Sequence, residues 1–247
     1  MTSPAQRHMM RVSAIETAQR ENNPLRHATA YEQMLVKLAA DQRTLKAIFG
    51  KELKATKKRE LLPFYLPWVS GVLEQGKGAQ DDIVMTVMLW RLDVGDIGGA
   101  MDIARYAFKY DLTMPGKHRR PPQYMFTEEV ALAAMRAHAA GEPVVVSQLL
   151  DTLALTAAAD MPDEVRAKLH KITGLVLRDN KQPADALAHL KRAMQLDCQA
   201  GVKKDIERLE RELKPKPATV VKAPVRAPRA VKTTAPAKRG RPKKTVG

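Results

Sequence analysis

An all-α fold is what this sequence predicts, and three observations predict it. Hydrophobic residues make up 45% of the chain but aromatics only 4%, so its core has to be assembled from Leu, Ala, Val, Ile and twelve methionines. A palette rich in Leu, Ala and Met and poor in aromatics favours helices over a sheet sandwich. Apolar positions recur at three- and four-residue intervals through most of the chain, and helix-start residues precede several of these runs.

The elements follow in chain order. Residues 1–24 read as a flexible N-terminal segment, closed by a break at Asn22, Asn23 and Pro24. Residues 25–112 form an N-terminal helical region. In it Tyr31, Leu35, Leu38, Leu45, Ile48 and Phe49 trace one face of a long helix, which Pro63 and Pro67 are expected to end. That stripe admits two readings, packing inside one monomer or an oligomerisation seam between subunits. The later turns carry Lys46, Lys51, Lys54, Lys57, Lys58 and Arg59. Such a run is either a solvated helix face or a DNA-facing surface; Lys54, Lys57, Lys58 and Arg59 are the candidates here.

Residues 113–126 form a basic, Pro-rich loop containing MPGKHRRPPQ, whose Lys117, Arg119 and Arg120 are candidates for phosphate contact. Thr127 then reads as the cap of a new helix with Glu128 and Glu129 in its first turn, and Asp160 with Pro162 as a second such start. Residues 127–213 form a helical-hairpin region. The order Gly174, Leu177, Ala186, Leu190, Ala193 is similar to the tetratricopeptide pattern, in which small residues let two helices approach closely. A partial echo is expected earlier, with Ala100, Ala104 and Ala107 after a Gly95-Asp96 turn. A charged helix from Val202 to Lys214 closes the body, with Ile206, Leu209 and Leu213 at helical spacing.

Residues 214–247 read as a disordered basic tail, punctuated by prolines and poor in large apolar side chains. The net charge of +15 is concentrated there: eleven Lys and Arg and no acid, leaving 31 basic against 27 acidic residues elsewhere. A mobile cationic segment follows a phosphate backbone and releases counterions without distorting a fold. Within it AKRGRPKK resembles an AT-hook. In that motif Arg239, Gly240 and Arg241 lie along the floor of a narrow minor groove, Pro242 holds the chain extended, and Lys238, Lys243 and Lys244 reach phosphates. The minor groove offers such a motif A·T over G·C and little more.

Other chemistries find no support. GVLEQGKG has the glycine and lysine spacing of a phosphate-binding loop, but Gly78 stands where that loop needs Ser or Thr, so Gly76 and Gly78 read as a helix stop. The six histidines are scattered and the aspartates fall at caps and turns, which leaves no metal-ligand spacing and no catalytic triad. The single cysteine, Cys198, excludes an internal disulfide and reads as a packing residue at a helix end. No apolar run approaches the roughly 20 residues that span a bilayer. The polar opening MTSPAQRHMMR is unlike a signal peptide, so residence in the cytoplasm is expected.

Longer strings point to a family. MTSPAQRHMMRVSA, YEQMLVKLAADQRTLKAI, MPGKHRR, MFTEEVALAAMRAHAAGE, MPDEVRAKLHKITGL and AKRGRPKK together resemble the small terminase subunit of peduovirus-type temperate tailed phages. The resemblance implies a role in viral DNA packaging inside the host cytoplasm. Such subunits bind double-stranded phage DNA at the packaging site, here a cohesive-end site, usually as homo-oligomeric rings. They deliver it to a large ATPase subunit and, through the complex, to the procapsid or portal. ATP and magnesium then belong to the large subunit, with no cofactor intrinsic to this chain. The family is often labelled an endonuclease subunit, yet the resemblance brings no catalytic residue onto a position here. The favoured reading is recognition by this chain and cleavage by the two-subunit complex. A metal-dependent cohesive-end endonuclease and an architectural AT-hook protein are the alternatives.

Overall fold

The computed structural model describes residues 3–18, 28–116 and 119–214, and among them it contains ten α-helices and no strand. The all-α expectation holds. The helices are α1 (Pro4–Ala18), α2 (Ala28–Ala47), α3 (Lys51–Gln75), α4 (Asp82–Asp93), α5 (Ile97–Lys109), α6 (Pro122–Ala139), α7 (Val146–Leu155), α8 (Asp163–Asp179), α9 (Pro183–Leu196) and α10 (Lys203–Leu213).

The centre is α4. Ile83, Val84, Met85, Thr86, Val87, Met88 and Leu92 are all buried, so this helix is apolar nearly all round, as a helix surrounded by others must be. It is packed by α2, α3, α5 and α6. The resulting main core runs from Ala14 in α1 to Val176 in α8. A second, smaller core is formed by Leu177, Ala186, Leu190, Val202, Ile206 and Leu209. The last two helices close around this second core: α9 packs between α8 and α10, and Arg178 of α8 pairs with Asp205 of α10 at 2.6 Å.

Four expectations are corrected here. The segment read as flexible, residues 1–24, contains α1, which Ser3 and Gln6 start as a reciprocal cap: Gln6 N donates to Ser3 Oγ at 3.2 Å and Ser3 N to Gln6 Oε1 at 2.9 Å. It docks on α3 because Gly71 has no side chain. A Cβ there would lie 2.6 Å from the Arg11 carbonyl oxygen. The long helix of the sequence reading is two helices, broken at residues 48–50. Pro63 and Pro67 do not end α3 but lie inside it, where burial of Leu62, Tyr65, Trp68, Val69 and Val72 outweighs the missing backbone donors.

Finally, Thr127 caps nothing. Pro121 and Pro122 start α6 six residues earlier than expected, and the buried Thr127 hydroxyl donates to the Gln123 carbonyl at 2.7 Å. Gly76 does stop α3, its N–H donating to Val72 O at 2.8 Å. In the α8–α9 hairpin a Cβ on Gly174 would lie 2.7 Å from Leu190 Cγ and 3.1 Å from Ala186 O, so glycine sets the approach of the two helices.

Candidate nucleic-acid interface

The corner between α2 and α3 is held from beneath by polar and aromatic contacts. Tyr31 stacks on Trp68 with ring centroids 5.9 Å apart, and its hydroxyl accepts from Asp82 N at 3.1 Å. Tyr65 donates its hydroxyl proton to buried Asp41 at 2.6 Å. Lys37 Nζ reaches the same carboxylate at 2.6 Å while lying over the Phe64 ring, 5.0 Å from its centroid. Trp68 Nε1 donates to Asp81 at 2.7 Å, and Asp81 also accepts from Ile83 N at 2.8 Å and Val84 N at 3.0 Å as the cap of α4. Burial pushes the Asp81 carboxyl up to about 6, opposed by those three donors.

The apolar stripe proposed as a seam therefore faces inward. Met34, Leu38 and Leu45 are buried against the body, with Tyr31 and Leu35 packed partly on it. Phe49 leaves the stripe because α2 stops at Ala47. The three-residue connection, closed by Ile48 N to Leu45 O at 3.3 Å and Lys54 N to Gly50 O at 3.0 Å, turns the ring outward until it is 96% exposed.

Ion pairing sorts the predicted cations. Lys57 donates to Glu60 at 2.8 Å, Lys58 is paired with Asp93 and largely buried, and Arg59 donates to the Val94 carbonyl at 3.3 Å. Arg120 is paired with Glu128 at 2.6 Å and lies over the Tyr124 ring. Among the described residues Lys46, Lys51 and Lys54 make no ion pair, and they surround Phe49 in sequence. Lys46 and Lys54 border one groove together with Lys58. The two carboxylates of that groove are already engaged, Asp93 with Lys58 of the same groove and Asp82 with Gln80 Nε2 at 3.0 Å. Lys51 and Lys54 also lie in the first turn of α3, where the helix dipole disfavours cations. Arg119 is exposed. Lys117 and the motif Lys238, Arg239, Gly240, Arg241, Pro242, Lys243 and Lys244 lie outside the described residues.

Other features differ from expectation. The glycines of GVLEQGKG serve packing: Gly71 admits α1, while Gly78, at φ +84°, lies under the Tyr110 ring and donates its N–H to the Tyr106 hydroxyl at 2.8 Å. Cys198 is exposed and not a packing residue, because the hairpin core closes without it. Two histidines that look isolated in sequence meet across the α8–α9 hairpin, His170 Nδ1 to His189 Nδ1 at 3.0 Å. Burial lowers both, His170 to about 4. Hairpin register alone brings them together, so only the Gly174 contact signals it. Among the described residues no three of His, Cys, Asp and Glu are arranged to hold a metal ion, and no helix is long and apolar enough to cross a membrane.

Comparison with known proteins adds three findings. The profile of a family described as phage small terminase subunit matches residues 35–164, a span that includes the lysine corner. The chain is 80% identical over 244 residues to the "Terminase, endonuclease subunit" of Escherichia phage P2, covering 99% of both chains. No solved structure matches.

Proposed function

Since this chain belongs to the phage small terminase subunit family, whose work is phage DNA packaging alongside DNA and a large terminase subunit, we propose that its α2–α3 corner is the folded body's contact with duplex DNA. The observation that carries this reading is the set of unpaired lysines. Among the described residues Lys46, Lys51 and Lys54 lack acidic partners while Lys57 and Lys58, close by on α3, have them. Phosphates supply the missing counter-charge and also relieve the conflict of Lys51 and Lys54 with the α3 dipole.

The tail is a second contact, in which Arg239, Gly240 and Arg241 enter an A·T-rich minor groove and Lys238, Lys243 and Lys244 engage phosphates. Assembly of several copies multiplies both contacts; linked sites of modest affinity gain on the order of 100- to 10,000-fold when they bind together. Recognition then belongs to this chain. Cleavage at the cohesive-end site and ATP- and magnesium-dependent translocation belong to the complex with the large subunit, which passes the DNA to the procapsid through the portal.

The salt dependence of duplex affinity tests this reading. Each phosphate contact contributes about 0.9 to the slope of log K against log salt, so Lys46→Ala, Lys51→Ala and Lys54→Ala together lower it by about 2.7. Lys57→Ala leaves it nearly unchanged, and deleting residues 238–244 lowers it independently. An unaltered slope in the triple variant discards the corner as the contact. Cutting of duplex DNA by this chain alone with magnesium overturns the division of labour.

A further inference from the structure

We propose that Phe49 is a wedge that enters the base stack of the duplex held at the α2–α3 corner, opening one base step and bending the DNA there. The inference rests on the corner being the DNA contact. Phe49 is an aromatic ring left 96% in water on the exposed tip of a short connection, with Leu53 beside it 66% exposed. A ring placed this way has no role in the fold of its own chain.

Its surroundings select the occupant. Two side chains are far too little for a stable protein interface, which needs on the order of 800 Å² from each partner. The same corner of a second copy would bring Lys46, Lys51 and Lys54 against their equivalents, with like charges repelling. A duplex fits both features, because cations on either side neutralise phosphates flanking the step while one apolar side chain partly unstacks it. Minor-groove proteins combine the same two elements when they kink DNA.

The geometry also meets a mechanical requirement, since a wedge works only if it does not fold away. Backbone hydrogen bonds close the connection, and the Tyr65–Asp41 and Tyr31–Asp82 bonds fix α2 against α3 and α4 beneath it. Unstacking is easiest at flexible pyrimidine–purine steps, so the wedge confers a preference for TA and CA steps without a hydrogen bond to any base. Such a preference adds selectivity that a minor-groove tail motif lacks.

The test uses the full chain and short duplexes carrying 2-aminopurine in place of the adenine of a central TA, CA or GA step, with dyes at the ends to report bending. The wild type is expected to raise 2-aminopurine fluorescence several-fold at TA and CA steps and to shorten the end-to-end distance. Phe49→Ala removes both signals while keeping the salt slope of binding, and Phe49→Leu restores part of them. An unchanged melting temperature confirms that these exposed-site variants fold. Equal fluorescence and bending in Phe49→Ala and wild type overturns the wedge. So does a variant that bends each bound duplex normally but loses mass in light scattering, which assigns Phe49 to self-association. Loss of salt dependence in the triple lysine variant upholds the underlying contact whichever way the Phe49 result falls, so the two failures are told apart.

Discussion

Asp81→Asn probes the buried centre on which the lysine corner stands. The wild-type carboxyl is raised from 3.8 to about 6 by burial, so between these values the folded state keeps a proton that the unfolded chain has released. The stability this group contributes is therefore fully present below the unfolded value and is lost as pH rises through about 6. A shift of roughly two units corresponds to about 3 kcal/mol. Asparagine removes the ionisation but not the cap, because its Oδ1 still accepts from Ile83 N and Val84 N, as the aspartate oxygen does at 2.8 and 3.0 Å. Its amide nitrogen faces the Trp68 Nε1 donor and loses that bond, at a cost of about 1–3 kcal/mol that does not vary with pH. Urea unfolding of both proteins from pH 4 to 7.5 separates the two effects. The wild type should lose about 2 kcal/mol relative to the variant across that range, the rest of the effect lying below pH 4. A constant difference refutes the reasoning, and a wild type that gains relative stability with pH shows that the three donors outweigh burial.

Two further perturbations test the packing that positions the corner. Tyr65→Phe leaves Asp41 buried with only Lys37 as partner, and should cost about 1–3 kcal/mol in denaturant unfolding; an unchanged midpoint removes the clamp from the account. Gly174→Ala pushes a methyl group into Leu190 and should cost about 1–3 kcal/mol, less the roughly 1 kcal/mol by which alanine favours a helix. Leu190→Ala in the same chain should recover part of the penalty, and strictly additive melting shifts argue against the contact.

Helix identity was legible wherever an apolar face repeats, as in α8 to α10, because local spacing and burial agree there. Boundaries failed where tertiary packing overrides a local signal. Pro63 and Pro67 are strong breakers, yet the buried face of α3 carries the helix through them. Thr127 has the right chemistry for a cap, yet Pro122 had already started the helix. The corner itself was half visible: the basic run and the i,i+3 pair of Lys57 with Glu60 are plain in sequence, but the pairing of Lys58 depends on Asp93 arriving from α4. The exposure of Phe49 was hidden because its spacing fits the inward stripe, and only the ending of α2 at Ala47 turns it away. His170 and His189 are 19 positions apart, and no periodicity announces their contact.

The separate small core beneath the last two helices has a mechanical consequence. Tension applied to the chain beyond Lys214 reaches α10 first, where it meets the Arg178–Asp205 ion pair and the small apolar cluster that α10 shares with α8 and α9, while the main core lies behind them. A pull on that end would thus be spent first on this small cluster, leaving the platform under the lysines undisturbed.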